Sequence, residues 1–144
     1  MNRIRDSFTK QGMMQSLGAE LTEMAPGRIV ITAPITPEVS QQHGFAHAGL
    51  TFAIGDSAAG YSALSLMAEG DEVLTAEMKI NLLAPADGVR LVATGEVVKP
   101  GRRLMVTRAS VETEYADGRR REVAILQGTM VPIRGSSHPE REMP

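Results

Sequence analysis

Between His47 and Glu69 the chain carries one charged side chain, Asp56, in a stretch that is otherwise apolar or small. Leu50, Phe52, Ala53, Ile54, Ala58, Ala59, Tyr61, Ala63, Leu64 and Met67 fall on every side of a helix drawn through Ala48 to Met67. A helix with no wide polar face must be enclosed by other structure. Its many Ala, Gly and Ser residues let neighbouring backbones come close. The stretch is about long enough to cross a bilayer, but the charge at Asp56 and the shortage of Leu and Ile argue for a buried helix of a soluble protein.

The segments able to enclose that helix read as strands. Leu17, Ala19 and Leu21 alternate with more polar neighbours, Pro26-Gly27 makes a turn, and Arg28 to Ala33 alternates again, which predicts a hairpin. Pro34 and Pro37 end it. After Glu69-Gly70-Asp71 the period becomes two. Leu74, Ala76, Met78, Ile80 and Leu82 are expected on one face, and Thr75, Glu77, Lys79 and Asn81 on the other. Three more strands follow, Arg90 to Lys99, Leu104 to Glu114 and Glu122 to Val131, with turns at Pro100-Gly101 and Asp117-Gly118. Ahead of them all, Asn2 to Gln15 predicts one short amphipathic helix with Ile4, Phe8 and Met13 on one side. The fold class is therefore α+β, a six-stranded antiparallel sheet wrapped around one long central helix. Leu83, Val92 and Val98 are expected on the partly covered face of the sheet, which invites a homo-oligomer.

A chain of 144 residues, 42% hydrophobic and 22% charged, suits one domain with one core, placed at residues 1–134. The polar, Pro-containing tail 135–144 is expected to be disordered. Aromatic residues make up only 3%, so the core must be aliphatic. A net charge of −2 gives no general attraction to nucleic acid or to an anionic membrane, so a polyanionic ligand needs a local basic cluster. The absence of cysteine removes disulfides, thiolate metal sites and a Cys nucleophile, and fits a reducing compartment. Met1 to Gly12 has no signal-peptide core, so a cytoplasmic location is expected.

Asp56 is where chemistry is expected. Burying an unpaired carboxylate is costly, so the fold must either satisfy it or use it. Alternatively, Asp56 is the N-cap of a helix that begins there, ahead of Ser57-Ala58-Ala59. His47-Ala48-Gly49 sits where the long helix should start. Free amides and the helix dipole favour an oxyanion at such a point, and small residues allow close approach. The same residues also serve as plain loop-to-helix packing. Seven residues separate Gly49 from Asp56, about 10 Å along the axis. One subunit does not easily bring both to one atom, whereas antiparallel helices from two subunits do.

His47-Ala48-Gly49, with Asp56 nine positions after the His, resembles the motif of the PaaI-like hotdog-fold acyl-CoA thioesterases. Thr75 to Pro85, a strand ending in Pro, the Gly101-Arg102 turn and the small-residue strand Ala124 to Thr129 resemble that family as well. Together they cover roughly Leu17 to Pro132. The resemblance implies a hotdog fold and hydrolysis of acyl-CoA to free acid and coenzyme A, the latter as part of the substrate, with no cofactor. It implies Asp56 as general base or nucleophile, and the Ala48 amide, with Gly49 next to it and His47 before it, polarising the thioester oxygen. Thr75 would help place the attacking water, and Gln41 would contact the substrate. The chain departs from the pattern twice, with Gln41 for the usual Asn and Ala48 for the middle Gly.

The chemistry is self-consistent. A thiolate leaves readily, so an activated water or carboxylate nucleophile plus oxyanion donors suffice, without triad or metal. His43 and His47 form an i, i+4 pair but lack a third metal ligand. Lys99, Arg102 and Arg103, with Arg108 as a further candidate, can hold the coenzyme A phosphates. Arg119-Arg120-Arg121 is an alternative cluster, and either is equally a solvated hairpin end. The small and medium apolar residues of the helix suggest medium-chain or aryl acyl groups. Two other readings stay open: a hotdog dehydratase or hydratase, with His43 or His47 facing Asp56 across a dimer, and a non-catalytic acyl-CoA binding module. The expected assembly is a dimer or dimer of dimers with active sites at the subunit interface, and neither nucleic acid nor membrane is an expected partner.

Overall fold

The structure is a computed structural model that describes residues 1–135; the tail expected to be disordered lies outside the described residues, save Gly135. The long helix α3 runs Ala48–Leu64. Two short helices precede it, α1 (Asn2–Thr9) and α2 (Gly12–Ser16), followed by strands β1 (Glu20–Ala25) and β2 (Arg28–Pro34). After α3 come β3 (Glu72–Leu82), β4 (Arg90–Lys99), β5 (Met105–Glu114) and β6 (Arg120–Ile133). All six strands form one antiparallel sheet in the order β1-β2-β4-β5-β6-β3. The helix packs against β2 through β6, so the sheet curls around it. This is the hotdog arrangement, and β1 and β3 are its two edges.

Helix and sheet meet at backbone distance. A Cβ built on Gly95 of β4 would lie 2.2 Å from the carbonyl carbon of Ala58, so this position accepts nothing larger than hydrogen. Ile54, Ala58, Ala59 and Ala63 of α3 are sealed against Ile29, Ile31, Leu91, Ala93, Val111 and Met130 of the sheet. Gly27 and Gly118 supply the positive φ that the β1–β2 and β5–β6 turns require. The C-terminus of α3 is closed from the far end of the chain. The Arg3 guanidinium donates to the carbonyls of Leu64, Met67 and Ala68 at 2.5–2.6 Å, where orphan acceptors and the negative end of the helix dipole meet a cation.

Several expectations are corrected. The N-terminal helix is two, broken after Thr9. Met14 is the buried methionine, whereas Met13 is exposed. The first strand begins at Glu20, because Leu17 to Ala19 turn the chain out of α2 through Ala19 N–H to the Met14 carbonyl. Leu83 and Val98 are exposed as expected, but Val92 is buried, at 2% accessibility. The strict alternation of β3 fails at one point. A register shift against β6 falls between Thr75 and Glu77, and the extra residue of this bulge resets the pleat. Met78 and Ile80 pack into the core as the pattern requires. Thr75 shares their face and reaches α3, while Glu77 accepts a bond from Thr129 on the other.

Candidate active site

α3 begins eight residues before Asp56, so Asp56 is a mid-helix residue and not an N-cap. The cap is His47, whose Nδ1 accepts from the Gly49 N–H at 2.8 Å. Gly49 makes room for that ring, since a Cβ there would lie 2.9 Å from Nδ1. Two consequences follow. The Gly49 amide is spent inside the cap, leaving Ala48 N–H as the first-turn amide with no acceptor among the described residues. With Nδ1 accepting, a neutral His47 ring carries its proton on Nε2 and presents a donor there, not a base.

Asp56 is half-buried, and its Oδ1 accepts from Thr75 Oγ1 at 2.7 Å. Burial raises the carboxyl above its ordinary value; the Thr75 hydrogen bond opposes that rise without cancelling it. The bulge makes this contact possible by turning Thr75 towards the helix. Both residues line a cavity of about 230 Å³, together with Ser7, Gln11, Ser57, Gly60, Tyr61 and Glu72.

Gln41 and Ala48 line a different hollow, of about 520 Å³, beside Phe45, Thr51, Leu82, Leu83 and Pro85. Gln41 Oε1 accepts from the His43 and Phe45 amides, which pins the loop and leaves its Nε2 as a donor. The predicted residues thus fall into two groups: Asp56 with Thr75 at the beginning of β3, and Gln41, His47, Ala48 and Gly49 near its end. Ala48 and Asp56 are eight residues apart on α3, about 12 Å along its axis, so one chain does not bring the two groups to one atom.

The basic clusters separate clearly. Arg119 pairs with Asp117 and stacks on Tyr115, Arg120 pairs with Glu114, and Arg121 with Asp87. Arg108 pairs with Glu96. Lys99, Arg102 and Arg103 are exposed and have no carboxylate within ion-pair distance among the described residues. They occupy the β4–β5 turn next to Met105, which pairs with Met130, itself paired with Thr75. At about 4.8 Å per strand, that turn begins roughly 10 Å across the sheet from Thr75. A roomier hollow of about 680 Å³ lies on the outer sheet face beside Glu77, Lys79, Glu96 and Arg108, but it touches neither Asp56 nor Ala48. No group of three or more His, Asp or Glu able to hold a metal occurs among the described residues.

The sequence pattern gave no sign of Gln11 and Tyr61. Gln11 Nε2 donates to Tyr61 Oη at 2.7 Å, across 50 residues of chain. The one available signal was a large side chain with a polar hydroxyl on a helix that has no wide polar face.

A half-buried carboxylate on the central helix, hydrogen-bonded by a strand hydroxyl inside a hotdog fold, is an arrangement that suits a hydrolase. Residues 43–116 match the model of the thioesterase superfamily, and the chain belongs to that superfamily as an acyl-CoA thioesterase. The structure superposes on a thioesterase family protein from Silicibacter pomeroyi with a TM-score of 0.89 at 44% identity, covering 92% of this chain and 96% of that one. It is similar in fold to the Escherichia coli PaaI protein of the phenylacetic acid degradation operon, with a TM-score of 0.79 at 23% identity over 91% of each chain. A 1,4-dihydroxy-2-naphthoyl-CoA hydrolase from Listeria monocytogenes is 24% identical over 103 residues, 72% of this chain and 84% of that protein. Among the described residues no helix is long and apolar enough to cross a membrane.

Proposed function

We propose that this thioesterase hydrolyses medium-chain or aryl acyl-CoA at a site shared between two copies of the chain, with Asp56 as its catalytic carboxylate. The observation that carries the reading is the Thr75–Asp56 hydrogen bond inside a cavity, which holds a carboxylate half out of water and ready to act. Asp56 takes a proton from water as hydroxide adds to the thioester carbon, or adds to that carbon itself. The carbonyl oxygen, now anionic, is met by the Ala48 N–H at the positive end of α3. The C–S bond then breaks and coenzyme A leaves as thiolate, taking up the proton that Asp56 removed from water; on the nucleophilic route water then hydrolyses the acyl anhydride on Asp56, and on either route Thr75 holds the carboxylate and a water in line. Gln41 Nε2 contacts the bound thioester, and His47 fixes the turn that aims Ala48. Lys99, Arg102 and Arg103 face the phosphates. No cofactor enters this chemistry.

The shared site follows from the edge of the sheet. β3 is an edge strand of 11 residues, paired with β6 on one side only, and Leu74, Leu82 and the adjoining Leu83 are exposed along it. Long apolar edges are templates for pairing. Antiparallel addition of a second β3 brings the Thr75 end of one strand beside the Leu82 end of the other. Asp56 of one copy then faces Gln41 and Ala48 of its partner. The 44%-identical thioesterase family protein supports the activity, and the hydrolase from Listeria monocytogenes supports an aryl acyl group.

A panel of short, medium, long and aromatic acyl-CoAs, read by a thiol reagent, tests the reading, because a cysteine-free protein contributes no background. Turnover that vanishes in Asp56→Asn, from a species of dimeric mass or larger, is expected. Near-parental turnover in that variant would overturn the role of Asp56, and a fully active monomer would overturn the shared site.

A further inference from the structure

The turn that carries Arg102 and Arg103, with Lys99 at its start, has little of its own to hold it. Residues 100–104 are all exposed. None of them makes a backbone–backbone hydrogen bond among the described residues. The pairing of β4 with β5 slips between Val97 and Lys99, just before the turn. Gly101 lets the chain fold back sharply, since an added Cβ would lie 2.4 Å from the Leu104 carbonyl oxygen. A segment of this kind samples many arrangements, and its long cationic side chains add rotamer freedom of their own. Gathering such groups around phosphate costs that freedom at every binding event.

Among the described residues one hydrogen bond reaches the turn. Arg134, just past the end of β6, donates from Nη2 to the Arg102 carbonyl oxygen. Its Nη1 donates to Asp71 Oδ2 at 2.5 Å, beside the start of β3. The Asp71 side chain is 7% exposed, and a carboxylate so enclosed is costly without a cation against it. The backbone seats the pair. Gly135 lies so close to Gly70 that an added Cβ would stand 2.1 Å from the Gly70 carbonyl oxygen. The Asp71 N–H donates to the Ala68 carbonyl at 3.1 Å. A guanidinium is planar with its donors in a fixed fork, so holding Nη1 aims Nη2. Arg102 is gripped by its backbone, and its own side chain stays exposed.

We propose that Asp71 and Arg134 are positioning residues for the phosphate end of coenzyme A, an ion pair that braces the β4–β5 turn so that Lys99, Arg102 and Arg103 are presented together. The inference rests on the assignment of those three cations to the phosphates and adds what orders them. Asp71 has the wrong sign to attract phosphate itself, which separates the brace from plain electrostatics. Removing Asp71 makes the neighbourhood more positive, so charge alone predicts tighter phosphate binding. Loss of the brace predicts weaker binding. Removing Arg134 lowers the positive charge and loosens the same turn, so both effects there have one sign.

The test compares benzoyl-CoA with S-benzoyl-N-acetylcysteamine, a thioester that ends before the phosphates. The ratio of their kcat/KM values reads phosphate recognition. Asp71→Ala and Arg134→Met are each expected to lower that ratio about fivefold, through KM for benzoyl-CoA, with turnover of the truncated thioester kept. The double variant leaves net charge unchanged and is expected to show about the same fall as either single one, because both break one brace. A ratio that is unchanged or higher in Asp71→Ala overturns the proposal, and so does a parental ratio in the double variant. A loss shared equally by both thioesters makes the pair merely structural and overturns it as well. If Asp71→Ala does not fold, Asp71→Asn takes its place with the same signs expected. A variant with Lys99, Arg102 and Arg103 all changed to Gln separates the two levels. A ratio that falls there but not in Asp71→Ala overturns the brace alone, whereas an unmoved ratio there overturns the phosphate assignment and the brace with it. Should benzoyl-CoA not be hydrolysed, calorimetry with coenzyme A itself decides. Binding about fivefold weaker in Asp71→Ala supports the brace, and equal or tighter binding overturns it.

Discussion

Replacing Thr75 with valine removes the one side-chain donor to Asp56 among the described residues and keeps nearly the same shape. Two opposing causes set the Asp56 ionisation: burial raises it and the Thr75 hydroxyl lowers it. In Thr75→Val only the raising cause remains. With Asp56 as the proposed catalytic carboxylate, the ionised form is the active one, so activity appears as pH rises through the Asp56 pKa, and the acid limb of the profile is expected to move to higher pH. A hydrogen bond to a charged group contributes about 1.5–3 kcal/mol. Because Asp56 is only half-buried and Thr75 is exposed, the lower end applies, which is roughly tenfold in the ionised fraction on that limb. Profiles of kcat/KM against pH, read by thiol release, check this, with Thr75→Ser expected to restore the parental limb. A limb that stays put or moves to lower pH would refute the reasoning. A loss equal at every pH would place Thr75 on the attacking water instead of on the ionisation of Asp56.

Other outcomes follow from the same geometry. Gly95→Ala drives a methyl into the Ala58 backbone and is expected to cost about 3 kcal/mol, a fall in Tm on the order of 10 °C in a thermal melt. Arg3→Met strips the guanidinium from three carbonyls at the end of α3 and is expected to cost about 1–2 kcal/mol in urea unfolding. The raised Asp56 pKa means that the folded state disfavours the charge: its cost is present above the folded pKa and disappears as pH falls below the unfolded value, about 4. Asp56→Asn should therefore melt above the parent at neutral pH, with the gap closing below that value. A variant that melts lower at neutral pH would contradict the assignment.

What was legible in the sequence is what local pattern controls. The central helix announced itself because a run without charges cannot face water, and Asp56 stood out against that run. The strand boundaries followed from Pro, Gly and the period of two, with Arg90–Lys99 matching to the residue. Thr75 was named as a site residue yet assigned to the wrong face of its strand, because a bulge inserts one residue without disturbing composition. Pairing across the sheet was equally invisible. Arg119, Arg120 and Arg121 look as available as Lys99, Arg102 and Arg103 until the fold sets Glu114 across the strand pair, Asp117 in the turn and Asp87 in a loop against the first group. The Gln11–Tyr61 bond joins a loop between two small helices to a residue 50 positions on, and no periodicity reports that.

The two halves of the site also explain each other's exposure. Asp56 sits in a hollow open at the β3 edge, and a carboxylate there is only as strong a base as its remaining water allows. The Ala48 amide lies in an apolar hollow near the far end of the same strand, beside Leu82 and Leu83, which stay 57% and 52% exposed in one copy. In the proposed dimer, pairing β3 with its own symmetry mate would cover those leucines, remove water from Asp56 and set the Ala48 amide opposite it in one step. The apolar surface that drives association is thus the surface whose burial sharpens the charge contrast between carboxylate and oxyanion donor. A dilution series is expected to lose activity and dimer together, at one concentration, because neither copy by itself brings Asp56 and an Ala48 amide to one atom. Activity that persisted after the dimer had dissociated would mean that a single hotdog completes the site by another route.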